Sequence, residues 1–327
     1  MAYPGGDLHF GRCLENHLNI CNVILRYFLV KAKEYNLLFM RLSVITPVKY
    51  PSIHMDNVYT IVEKCKELEL QITVVLDTTQ PSPDLESDII KLENLGARLV
   101  IGDYKSPGKA RNAGMRETEG GWITFWDADD NPFLERYLKA IEQSDYDTTL
   151  IFGSYEVHQS NRDKSRSIAA TTEVTGLAMN PGLWRFIFRR DLLDDVSYTD
   201  LSLGEDQVFL AHLFSKHPKW KMFEPVLYSY VVGHNGQLTS STRSRRAGDQ
   251  FKATTLIGEI VLRNEPDCFY CENILAMRWK LSLGCLRNLG LWRTIEGVSF
   301  WKSRSILFRN LLSVGLRRNL RFLWALR

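Results

Sequence analysis

From Leu42 onward the chain alternates short, continuously apolar runs with amphipathic stretches, and each apolar run stops at a polar or acidic residue. The strand-like runs are Leu42–Thr46, Ile72–Leu76, Arg98–Ile101, Trp122–Trp126 and Leu150–Tyr155. Between them lie Asp56–Leu68, Ser87–Leu95, Gly108–Thr118 and Leu134–Ile141, whose apolar residues recur at helical spacing. Strands that read as unbroken apolar runs are buried on both faces, and helices between them make βαβ units. The pattern therefore predicts an α/β fold of Rossmann-like design, with a mostly parallel central sheet and flanking helices. In such sheets ligands bind at the carboxyl ends of the strands. The residues to inspect are thus Thr46-Pro47, Asp77, Asp103 and the run Asp127-Ala128-Asp129-Asp130.

Composition narrows the function classes. A net charge of +3 over 327 residues is too weak to argue for nucleic acid as a partner. Six cysteines are too few for a disulfide scaffold and fit a reducing compartment. No stretch reaches the roughly 18 uninterrupted apolar residues of a membrane span; the nearest, around Ile20–Val30, is broken by Asn22 and Arg26. Cys268 and Cys271 have metal-like spacing, but no second such pair and no later histidine accompany them. No G-x-G-x-x-G follows a strand and no P-loop occurs, which argues against dinucleotide oxidoreductases and NTPases.

The segment GGWITFWDADDNP carries a buried strand straight into three carboxylates. Packed like charges repel, and one divalent cation relieves that repulsion, since Mg2+ and Mn2+ favour carboxylate oxygens with water and phosphate. The competing reading is a solvated acidic turn that caps the next helix. Two further features invite the same double reading. In Gly108-Lys109-Ala110-Arg111-Asn112-Ala113-Gly114, Arg111 suits a phosphate but is also an ordinary helix-surface base. Glu205-Asp206 opens the apolar helix DQVFLAHLF, where carboxylates are favoured by the helix dipole alone.

The order VITPVK, ITVVLD, GKARNAGMRETEGGWITFWDADD and LGEDQVFLAHLF resembles the family-2 glycosyltransferases of GT-A fold, over about residues 41–240. The resemblance implies that Thr46, Pro47 and Asp77 hold the nucleotide base. The family's paired aspartate after the second strand is here Leu76-Asp77-Thr78, with one carboxylate only. Arg111 and Asn112 fall in the donor site, and Asp127 and Asp129 contact ribose and a divalent metal, Mn2+ or Mg2+, with Asp130 as an alternative ligand. Asp206 becomes the general base and Glu205 the residue that orients the acceptor. His234, in VVGHNGQL, matches a family histidine that ligates the metal or touches the diphosphate, and a lone histidine is otherwise structural. Trp184, in GLWRFIFRR, is the candidate for stacking on an acceptor sugar, against the alternative of a core aromatic.

These parts fit one reaction: transfer of a sugar from a nucleotide-diphosphate sugar, UDP-linked, to a hydroxyl of a glycan or lipid-linked acceptor, with inversion. A general base contributes about 10²–10⁴-fold to such a step. A catalytically silent sugar-nucleotide-binding protein of the same fold is the second reading, and a dehalogenase-type phosphatase is a third that lacks an early nucleophilic aspartate.

The ends of the chain differ from its body. Residues 1–39 lack a basic leader and a small-residue cleavage site, so they read as an extension before a domain starting at Met40, or else as a helix packed on it. The domain is expected over 40–246, with a helical region over 247–327. The polar run Thr239–Arg246 reads as a loop whose arginines, Arg243, Arg245 and Arg246, suit closure over a diphosphate. The last acidic residue is Glu296, and seven bases follow it, while residues 1–296 hold 34 bases and 38 acids, a net charge of −4. Basic residues beside a Trp/Leu/Phe face predict that residues 299–327 meet an anionic membrane surface, which makes the protein cytoplasmic and peripheral. A helix packed on the domain is the alternative.

Overall fold

The computed structural model describes residues 41–79, 82–159, 164–171, 177, 181–233, 243–262, 269–289, 295 and 298–312. Residues 1–40, His234 and 313–327 lie outside them, as do the side chains of Arg243 and Arg245. The first half is built as the alternation requires: β1 (Leu42–Val48), α1 (Pro51–Glu67), β2 (Gln71–Asp77), α2 (Leu85–Leu95), β3 (Arg98–Gly102), α3 (Pro107–Glu117) and β4 (Trp122–Phe125). The second half adds β5 (Asn131–Pro132), α4 (Leu134–Glu142), β6 (Leu150–Gln159), β7 (Lys164–Ile168), β8 (Phe186–Arg189), α5 (Glu205–Ser215) and β9 (Trp220–Val232). Three helices follow: α6 (Arg243–Leu262), α7 (Phe269–Leu289) and α8 (Phe300–Leu312). Since α6 starts at Arg243, the run read as a loop to Arg246 is already helical there.

The sheet runs β3-β2-β1-β4-β8-β6-β9-β5, with β7 beside β6. β3, β2, β1 and β4 are mutually parallel, and β8 is the first antiparallel neighbour. The chain leaves β1 toward β2 and β3, then returns to its other side with β4. The carboxyl ends of β1 and β4 therefore flank a topological switch point, where open α/β sheets form their crevice.

Local chemistry sets the helix positions. Ser106 caps α3 by accepting from the Lys109 N–H at 3.4 Å, and Pro107 supplies the fixed φ of a first helical turn. Gly114 brings α3 onto the sheet: a Cβ there would come 2.4 Å from Ile45 Cγ2. One face of the sheet packs α1, α2 and α4 around Val44, Val74 and Trp126. The other packs α3 and α5, and this core continues into α6 and α7, where Ile45 and Phe125 share a cluster with Phe209, Ala253, Ile257 and Met277.

Candidate active site

A cleft of about 270 Å3 opens at the switch point, over the carboxyl ends of β1, β2 and β4 and the first turns of α3 and α5. Pro47, Asp77, Arg111, Asp127, Asp129, Glu205 and Asp206, read separately from the sequence, all line it.

Arg111 is the centre of this arrangement. Its side chain is only 8% exposed, and its guanidinium reaches three carboxylates from two distant segments. Nη2 donates to Asp127 Oδ1 at 3.0 Å, while Nη1 donates to Glu205 Oε1 at 3.3 Å and Asp206 Oδ1 at 3.2 Å. Burial works against its charge, but Asp206, Asp127 and Glu205 together outweigh it and hold its proton more tightly than usual. Burial, then Glu205, pushes the Asp206 carboxyl well above the ordinary aspartate range. Burial also raises Glu205, against the pull of Arg111. Asp206 nevertheless keeps 29% of its side chain accessible, and Asp127 keeps 33%. Three carboxylates share one guanidinium, so the cleft carries surplus negative charge when all are ionised.

The acidic turn after β4 is held by residues that the sequence reading did not single out. The Asn57 amide, from α1, donates to the carbonyls of Ala128 and Asp130, each at 2.9 Å. The Tyr228 hydroxyl, from β9, accepts from the Asp127 N–H and donates to Asp130 Oδ2, both at 2.9 Å. Val231 N–H completes the anchor on Asp130 Oδ1 at 2.7 Å. Asp130 is fully buried, and its carboxyl is raised by burial and then by Asp127 and Asp129. Asp130, expected as an alternative metal ligand, is thus placed in the core with both carboxylate oxygens engaged by Tyr228 and Val231. It points inward as the anchor that holds Asp127 and Asp129 toward the cleft.

Three other expected contacts differ in the same way. Asn112 does not line the cleft: its amide donates to Tyr198 O at 2.9 Å and accepts from Tyr198 N–H at 2.8 Å, tying α3 to the segment before α5. Trp184 is 8% exposed, with its ring stacked on Tyr228 at 4.6 Å and on Tyr230 at 5.5 Å. It is a core aromatic, and the aromatic that lines the cleft is Tyr230. Thr46 is fully buried beneath Pro47, and its hydroxyl has no partner among the described residues. Asp77 stays at the cleft, with Oδ1 accepting from Thr79 N–H, Thr79 Oγ1 and the Tyr104 N–H. Lys49, Tyr50, His54 and Gln207 also line the cleft.

Among the described residues, no three His, Cys, Asp or Glu side chains approach closely enough to form a protein-only metal site. The two outward carboxylates and the surplus charge fit a hard divalent cation whose remaining ligands are phosphate oxygens and water.

Comparison with known proteins agrees with this architecture. Residues 43–199 match the model of the family described as Glycosyl transferase family 2. The uncharacterized glycosyltransferase EpsJ of Bacillus subtilis (strain 168) is 23% identical over 209 residues, which are 56% of this chain and 60% of EpsJ, so the chain spans less than two thirds of that relative's length. Residues 1–349 of S. aureus TarS superimpose with a TM-score of 0.61 at 17% identity, covering 83% of this chain and 81% of that one. The same TarS fragment in complex with UDP-GlcNAc gives 0.60 at 16% identity, covering 86% and 83%. The mannosyltransferase PcManGT of Pyrobaculum calidifontis, in complex with GDP-Man and Mn2+, gives 0.50 at 14% identity, covering 86% and 83%. These likenesses establish the fold as GT-A: a mixed α/β molecule with a mostly parallel curled sheet, flanking helices and further helices at the C-terminal end.

Proposed function

With residues 43–199 forming a glycosyl transferase family 2 domain, we propose that the cleft transfers a hexosyl or N-acetylhexosaminyl group from a UDP-sugar to a hydroxyl of a glycan or lipid-linked acceptor, inverting the anomeric centre. The observation that carries this reading is the Arg111 bridge. It draws Asp127, on the donor side, and Asp206, at the head of α5, into one 3.0–3.2 Å unit although the two are far apart in sequence.

In this mechanism Pro47 and Asp77 bind the nucleoside at the ends of β1 and β2. Asp127 and Asp129 hold a divalent cation, Mn2+ or Mg2+, which supplies Lewis-acid stabilisation of the departing diphosphate when bound. Asp206 takes the acceptor hydroxyl proton as that oxygen attacks the anomeric carbon. Glu205, beside it on the same helical turn, orients the hydroxyl, and Arg111 holds both carboxylates in register. Displacement in one step, with the nucleoside diphosphate leaving from the opposite face, inverts the configuration. The carboxyl of Asp206 is raised above the ordinary aspartate range, so as pH falls the base is protonated at a higher pH than a free aspartate would be, and transfer declines on that side. TarS binding of UDP-GlcNAc and UDP supports the donor class by analogy of fold.

No described helix is long and apolar enough to cross a membrane. Attachment to an anionic membrane surface through residues 299–327 belongs to the same proposal. Its support is α8, which presents Trp301, Phe308 and Leu312 outward with exposed Lys302 and Arg309 beside them.

A panel of UDP- and GDP-sugars read by thermal shift with Mn2+ tests the donor assignment. A UDP-sugar raises the melting temperature of the native chain and not of Asp127→Asn. Equal stabilisation of both proteins overturns the assignment of Asp127.

A further inference from the structure

Helices α6 and α7 form an antiparallel hairpin, with Gly258 against Arg278, Gln250 against Gly284 and the Cys285 thiol donating to Ala247 O at 3.2 Å. At the end where α6 begins and α7 ends, a groove of about 520 Å3 opens, lined by Arg246, Gln250, Gly284, Arg287 and Asn288. Among the described residues, every polar side chain on this lining is a cation or an amide. Arg246 is half-buried, and its Nε is sealed from solvent without a partner among the described residues. Arg287 is exposed. No described carboxylate forms an ion pair with either arginine.

The side chains are arranged for donation. Asn288 Nδ2 donates to Gln250 Oε1 at 2.9 Å, which leaves the Gln250 amide nitrogen as a donor. Gly284 makes the room for it: a Cβ there would come 2.6 Å from Gln250 Nε2. The first turn of α6 contains no acid, and its sequence there, Arg243-Ser244-Arg245-Arg246, is strongly basic. A helix N-terminus favours anions, so the start of α6 adds to the positive charge that Arg246 and Arg287 bring to the groove.

The groove is joined to the active site by the hairpin seam. Ala253 and Leu281 are the side chains nearest Gly204, the residue before Glu205-Asp206. From Ala253 to Gln250 is about 4.5 Å of helical rise, and to Arg246 about 10 Å. Asp249, between them, accepts from the N–H of Ser202 at 3.3 Å, and Ser202 lines the cleft. The groove thus lies about one to two turns along α6 from the residue that packs against the start of α5.

We propose that this groove is a phosphate-binding site, with Arg246 and Arg287 as its guanidinium clamps, that holds a phosphate of the acceptor. Guanidinium pairs match phosphate oxygens in bidentate fashion. The acceptor part rests on the transferase reading above; the phosphate site does not.

The test uses the full chain without divalent cations. Inorganic pyrophosphate is titrated calorimetrically, and phosphatidylcholine vesicles with and without phosphatidic acid are used for flotation. Arg246→Gln/Arg287→Gln should bind at least about tenfold more weakly than the native chain, as expected for lost charge-assisted hydrogen bonds. Arg287→Gln alone, at an exposed position, should lose part of that affinity with an unchanged melting temperature. Loss toward pyrophosphate identifies a soluble phosphate as sufficient, and loss toward phosphatidic acid vesicles alone identifies a lipid headgroup. Equal binding by native and double-variant protein in both arms overturns the proposal. UDP-sugar titration with Mn2+ on the same samples separates the two readings: groove variants that keep donor binding but bind phosphate normally sink the groove alone, and absent donor binding sinks the transferase reading alone.

Discussion

Arg111 shows why residue type and spacing identify a site without explaining it. An arginine on a helix suggests a phosphate ligand, yet this one is enclosed by three carboxylates, two of them raised by burial. Removing one partner of a buried ionic network leaves charges uncompensated, so Arg111→Met should cost about 3–5 kcal/mol in urea unfolding. Arg111→Lys should not restore it, because one ammonium cannot span Asp127 and the Glu205/Asp206 pair together. A loss below about 1 kcal/mol would contradict the hub. Asn112→Ala should lose about 1–3 kcal/mol, as two bonds to the Tyr198 backbone go, with donor affinity unchanged. Donor affinity lost at full stability would return Asn112 to the donor site. The acidic run Asp127–Asp130 was legible because it ends a buried strand. Which carboxylates face the cleft was not, since that depends on the Tyr228 hydroxyl, 98 residues from Asp130.

At the scale of elements, the parallel strands announced themselves. β1 and β2 are buried on both faces and read as unbroken apolar runs, and β4, four buried residues, reads the same way. β8 pairs antiparallel to β4 and β6, and β9 carries register shifts against β6, so their places in the sheet depend on tertiary pairing that no local pattern shows. The start of α5 depends on Gly204, whose φ of +92° is unfavourable for other residues and whose Cα faces Ala253, so that an added Cβ would approach Ala253 Cβ at 2.9 Å. Gly204→Ala should therefore destabilise by about 1–3 kcal/mol and shift the first turn that bears Glu205 and Asp206. The expected readout is a lower melting temperature together with a reduced transfer rate. Unchanged values for both would show that the turn tolerates another conformation.

For the molecule as a whole, the sheet and the C-terminal helices share one core, in which Phe125 and Phe209 join Ile257, Met277 and Leu281. The sequence reading separates residues 40–246 from 247–327 at a change of pattern. That boundary falls within α6, and the apolar contacts that cross it are tertiary, so no local pattern could reveal them. A chain truncated after Arg246 is expected to expose this surface and aggregate, as judged by size-exclusion chromatography and circular dichroism. A soluble, cooperatively unfolding fragment would establish the first region as an independent domain. The proposed function places a donor side at β1, β2 and β4 and a base at α5; Arg111 joins Asp127 to Glu205 and Asp206, and Ala253 and Leu281 of the α6–α7 hairpin pack against Gly204 at the start of α5. Its central claim is that Asp206 is the base, and the most direct measurement is single-turnover sugar transfer by Asp206→Asn beside calorimetric donor binding. The account predicts donor affinity within about twofold of native and transfer lowered by about 10²–10⁴-fold; an Asp206→Asn protein that transfers sugar at the native rate would contradict it.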